Sequence, residues 1–142
     1  MNVTILKKFL SLMLVFLIFL PVMTRDAAGK EKDGEEELKE RIDITNKKRV
    51  TPKEIKRFEE KLKSYFFEIV EPGVIDRSLK ELSPGEALIV IVIAGLSKKS
   101  DGEIIKIKKE GKSWTEICNA VGVKMKDVVK EVKEFQKMSG CA

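Results

Sequence analysis

Thr51, Ser83, Ser100 and Ser113 each stand three residues before a glutamate, at Glu54, Glu86, Glu103 and Glu116. The hydroxyl of such a pair can accept the amide hydrogen of the third helical residue while the carboxylate reaches back to the cap, so each pair marks a helix start. Pro52 and Pro84 repeat the signal, because proline suits the first helical position, where its missing N–H is not needed. Gly111 and Gly122 fall where helices would stop. These marks are punctuation and not an internal repeat, and they leave little room for strands.

Between the marks the apolar residues recur at helical spacing. Ile55, Phe58, Leu62, Tyr65, Phe66 and Ile69 define one face of a helix, with Val50 placed to staple against Ile55 and Glu71-Pro72-Gly73 as the stop. That aromatic stripe reads as core and not as a ligand groove, since no polar groups converge on it. Ile75, Leu79 and Leu82 support a further short helix. The run Ala87 to Ala94 is rich in β-branched residues, which alone would suggest a strand. A strand needs neighbours for its backbone groups and no other segment alternates, whereas a helix satisfies its own. The run is therefore expected to be a helix buried all round, too short to span a bilayer. The last helix is expected over Met125 to Met138, with Met125, Val128, Val129, Val132 and Phe135 inward, and Trp114 is expected to be buried. The fold class that follows is all-α: a compact bundle of five or six helices around a central apolar helix, spanning residues 51–139.

Two segments precede that domain. Residues 1–29 read as a signal peptide: Lys7 and Lys8, a run from Phe9 to Leu20 interrupted only by Ser11, then Pro21 and the small residues Ala27-Ala28-Gly29. The alternative is an uncleaved inner-membrane anchor, and that would be the only membrane contact. Either way the domain is expected outside the cytoplasm, periplasmic or secreted. Residues 30–50 read as a charged linker, because six of the ten residues from Glu31 to Glu40 are acidic. A short helix anchored by Leu38 and Ile42 is the alternative there.

The chemistry available is narrow. The chain has no histidine, which removes the usual general base and the commonest neutral metal ligand. Cys118 and Cys141 do not form a C-x-x-C pair, and no phosphate loop or nucleophile elbow occurs. The acidic groups Glu35-Glu36-Glu37 and Glu59-Glu60 sit among lysines and read as solvated helix faces. No enzyme, cofactor or metal site is therefore expected, and a carboxylate-based hydrolase is the least favoured class. A straight last helix would carry Cys141 beyond the ~7 Å between α-carbons that a disulfide to Cys118 needs. Cys118 is expected as a buried thiol and Cys141 as a free one, or as the link in a disulfide-bonded dimer.

From Gly111 to Val123 the chain reads G-K-S-W-T-E-I-C-N-A-V-G-V, which resembles the first helix and turn of a helix-turn-helix. Ile117 and Val121 fit its buried positions, Cys118 its close crossing and Gly122 its turn, while Glu131 stands where a further apolar contact is expected. The resemblance implies a second helix in the major groove, with Lys124, Lys126 and Lys130 near the duplex. The same block, after a long apolar helix and an export signal, is also similar to small exported bacterial proteins of unassigned function. That likeness runs from Leu82 to Val128 and implies no activity. The net charge of +5 interleaves both signs and does not announce a nucleic-acid binder. One stripe of the last helix, Lys126, Lys130, Lys133 and Lys137, is the candidate surface for an anionic envelope polymer or an envelope protein. The leading expectation is a non-enzymatic exported domain that binds another envelope component; a membrane-tethered DNA-binding protein is the runner-up.

Overall fold

A computed structural model describes residues 33–141, and the expected signal segment lies outside the described residues. Among these residues the chain forms seven helices and no strand. The first, α1, runs through residues 33–47. It is followed by α2 (Pro52–Tyr65), α3 (Pro72–Glu81), α4 (Pro84–Ser97), α5 (Asp101–Lys109), α6 (Trp114–Val121) and α7 (Met125–Met138). All four cap hydroxyls accept the amide expected of them, and at Thr51 and Ser113 the glutamate returns the bond to the cap backbone. Gly111 and Gly122 take positive φ, at 86° and 74°, which a residue without a β-carbon adopts at little cost.

Helix α4 is the centre. Gly85 and every residue from Ala87 to Gly95 are buried, so the helix has no solvent face until Leu96 in its last turn. It packs on α3, α5 and α7, while α2 lies on α3, and α6 on α5 and α7. The aromatic stripe of α2 belongs to this core. Phe58, Tyr65 and Phe66 surround Phe135 of α7 at centroid distances of 5.8, 5.3 and 5.6 Å. Ion pairs tie the outer elements. Arg77 of α3 holds Asp101 at the start of α5 through two bonds of 2.7 and 2.8 Å. Lys63 of α2 reaches Asp76 of α3 at 2.7 Å.

Three details depart from the sequence reading. Helix α2 stops at Tyr65, six residues before Glu71 and Pro72, because Phe66 leaves helical geometry to bury its ring and the chain turns through 66–70. Ile69 therefore lies off the helical face, partly exposed and against Gly95, and Pro72 opens α3 at its first turn instead of only closing α2. Val50 forms no staple: it is 74% exposed, and its N–H donates to Glu54 Oε2 at 3.2 Å. Lys98 closes α4 at φ 58°, a left-handed position for which no glycine gave notice.

The largest departure is α1. Residues 33–47 are the helical alternative, and the helix is packed, with Leu38 and Thr45 fully buried. A segment with so few apolar residues is held by polar contacts instead. Gln136 of α7, itself buried, donates to the Arg41 carbonyl at 3.1 Å and to Thr45 Oγ1 at 3.0 Å. Asn46 accepts from the Gly85 N–H at 2.8 Å and donates to Ser83 Oγ at 3.3 Å, binding the end of α1 to the start of α4. The packed unit begins at Gly34, well before Thr51.

Cys141 is also placed differently from expectation. Gly140 turns at φ 66° and lets the Cys141 N–H reach back to the Gln136 carbonyl at 2.7 Å, so the thiol tucks under the end of α7. There it is fully buried against the Arg49 guanidinium. Both cysteines are free, and burial withdraws Cys141 from the surface that a disulfide-linked dimer would use.

The crossing of α1 over α4 yields a test. A methyl at Gly85 would lie 2.6 Å from the Ile42 carbonyl oxygen and 2.7 Å from the Ile42 α-carbon, and backbone cannot rotate away. Gly85→Ala is expected to destabilise the fold by about 1–3 kcal/mol. Gly102→Ala, in open space on α5, is expected to be neutral or stabilising by up to about 1 kcal/mol. Urea titrations of both variants check this, and equal midpoints would refute the close crossing.

Candidate functional site

The lysine stripe of α7 is set by what the helix buries. Val128, Val129, Val132, Phe135 and Gln136 turn inward, so Lys126, Lys130, Lys133 and Lys137 face solvent. The structure keeps the four on one face but divides their roles. Lys133 Nζ sits 2.8 Å from Glu37 Oε1 and thereby joins α7 to α1. That bond, reinforced by Arg41 and opposed by burial, holds the Glu37 carboxyl below its ordinary range. Lys130 lies 3.9 Å from Glu134 on its own helix. With Asp127, Glu131 and Glu134 exposed or half-buried beside it, the stripe is a face of alternating sign and not a continuous positive field.

The helix-turn-helix resemblance has a structural counterpart in α6, the turn at Gly122 and α7. The Val123 N–H bonds the Cys118 carbonyl at 2.9 Å, closing α6, and Ile117, Cys118 and Val121 are buried as the motif requires. Lys124, Lys126 and Lys130 all remain exposed. The start of α6 is occupied, however. Glu35 of α1 accepts from the Trp114 N–H at 3.2 Å, the Thr115 N–H at 2.8 Å and the Thr115 hydroxyl at 3.0 Å. In a DNA complex, free amides at a helix start are donors for phosphate; here the chain supplies its own anion. Trp114 is buried and carries the Lys108 ammonium 4.6 Å from its ring centre.

The acidic groups weighed as catalysts are separated by their partners. Glu35 binds α6, Glu37 binds Lys133, and Glu59 lies 2.6 Å from Lys63, while Glu36 and Glu60 face solvent. No three Asp, Glu or Cys side chains converge among the described residues.

A second basic feature went unnoticed in the sequence. Where α1 gives way to α2, Lys48, Arg49, Arg57 and Lys61 line a concavity of about 150 Å³ together with Phe58 and Glu54. Lys47-Lys48-Arg49 is a basic run at the end of α1. Only the turn onto α2 brings Arg57 and Lys61 to it.

Two predictions follow from these contacts. Removing the charge from the α6 start, by Glu35→Gln, is expected to cost about 1 kcal/mol, and Glu35→Ala about 1–2 kcal/mol, by chemical denaturation; unchanged midpoints would show that the contact contributes nothing. Burial, with a smaller effect of the Glu35 charge, pushes the Cys118 thiol up to about 11 from its ordinary 9.0. The fold thus favours the protonated thiol: this stability is full below the ordinary thiol range and is lost as pH rises through about 11. Cys118 is expected to resist iodoacetamide at pH 8 and to react only in denaturant, and rapid native alkylation at this residue would contradict its placement.

Compared with protein-family models, with curated proteins and with solved structures, the chain finds no match in any of the three.

Proposed function

We propose that this chain is a non-enzymatic, exported helical domain that binds another component of the cell envelope. The observation that supports it most is the use made of its carboxylates. Those best placed to do acid–base chemistry serve as helix caps and interhelical ties. A general acid needs its carboxyl raised toward neutrality, and Glu37 is displaced the other way by Lys133. This argues against the hydrolase alternative. What remains for function is surface: charged helix faces on a rigid core, with the basic residues 1–29 pattern supplying the export signal.

A membrane-tethered DNA-binding protein is the second reading, favoured by the path of α6 and α7. It requires the domain to lie in the cytoplasm. It also requires phosphate contacts elsewhere than the α6 start, where Glu35 sits. Among the described residues no helix is long and apolar enough to cross a membrane, so this reading needs an anchor outside them.

Compartment separates the readings. A phosphatase that is active only outside the cytoplasm, fused after Ala142, is expected to be active. A stable but silent fusion would refute export and favour the tethered DNA-binding reading. Crosslinking in the native envelope, followed by mass spectrometry, is expected to recover an envelope partner.

A further inference from the structure

We infer that the concavity between the end of α1 and the first turns of α2 is a binding site for a phosphate-bearing anion, formed by Lys48, Arg49, Arg57 and Lys61. This deepens the envelope-binding reading by naming a ligand chemistry, and it rests on that reading only for where the anion comes from.

The case begins with the lining. Four cationic side chains surround a concavity of about 150 Å³, and a single carboxylate, Glu54, shares the wall. That carboxylate is already engaged: its Oε2 accepts from the Val50 N–H at 3.2 Å, the Thr51 N–H at 2.9 Å and the Thr51 hydroxyl at 2.9 Å. These bonds cap α2, so Glu54 cannot swing across to neutralise its neighbours without uncapping the helix. Like charges gathered around one hollow create a positive potential that favours an anion there. Arg57 and Lys61 form no ion pair with a carboxylate among the described residues.

Two of the donors are also held in place. The Arg49 guanidinium lies 5.0 Å from the centre of the buried Phe58 ring and touches the Cys141 sulfur, which fixes its plane. Lys61 donates to the Ser139 carbonyl, which draws its ammonium along the same side of the molecule. A planar fork fixed by an aromatic ring, a second guanidinium and two ammonium groups suit the oxygens of a phosphate monoester or diester, which accept several charge-assisted bonds at once. The α7 stripe lacks this convergence, since its lysines alternate with acids along an open helix.

The test uses the full chain, labelled with nitrogen-15 and titrated with inorganic phosphate at constant ionic strength. Amide shifts are expected to cluster at residues 48–61 and to saturate. Arg57→Gln/Lys61→Gln is expected to weaken the affinity about tenfold or more, whereas Lys126→Gln/Lys130→Gln leaves it unchanged. Arg57→Gln alone serves as the check if loss of the Lys61 to Ser139 contact disturbs the fold, because the Arg57 side chain is exposed. Cosedimentation then identifies the source: preferential retention on phosphatidic acid over phosphatidylcholine vesicles, lost in the double variant, assigns a lipid headgroup. Phosphate binding without that preference assigns a free phosphate. Absence of saturating shifts, or shifts that the Arg57 and Lys61 substitutions do not alter, overturns the proposal. Because the purified chain is used, this result is independent of the fusion assay for export.

Discussion

A helical segment buried all round has to be covered on every side, and α4 imposes that condition on the whole domain from Ala87 to Gly95. Its ten buried residues offer nothing polar beyond the backbone, which the helix itself satisfies. The surrounding elements are short and amphipathic, and none would be stable alone at 8 to 14 residues. Their apolar stripes are stabilised by burial against α4 and against one another, so the domain folds as a unit and not as a set of independent helices.

α1 completes that covering by a different chemistry. Its acidic first half would be expelled from an apolar core, yet it docks because polar groups meet it at three places: Glu35 on the amides of α6, Arg41 and Thr45 on Gln136 of α7, and Asn46 on the start of α4. Gly85 allows the backbones of α1 and α4 to come close enough for the last of these. The same docking sets the electrostatic character of the surface. It draws Lys133 into a pair with Glu37 and carries the basic run that ends α1 toward the second turn of α2. A stripe that looked like a free positive face thus becomes partly structural, and the end of the basic run becomes part of a hollow.

The helix-turn-helix path of α6 and α7 fits the same account. Its buried positions serve the core, and its first helix starts on a carboxylate from within the chain. Shape alone therefore does not distinguish a DNA reader from a packed hairpin; the occupancy of the helix start is what weighs on the choice.

Much of the architecture was legible from local chemistry. Hydroxyl–glutamate pairs mark four helix starts because capping is satisfied within three residues, and the stripes of α2 and α7 follow from 3.6-residue periodicity. The burial of Trp114 and Cys118 was readable for the same reason. What the sequence could not show depends on partners distant along the chain. Leu38 and Ile42 marked a short helix as the alternative, but its docking uses Gln136, 95 residues beyond Arg41, and no local pattern links the two. Cys141 is sealed because a left-handed Gly140 returns it to Arg49, 92 residues away. The convergence of Lys48, Arg49, Arg57 and Lys61 needs the α1 to α2 turn to be in place. Local hydrogen bonding and hydrophobic period are written in neighbouring residues, so the sequence determines them by itself; which faces meet, and hence where charge gathers, is decided only when the chain closes on α4.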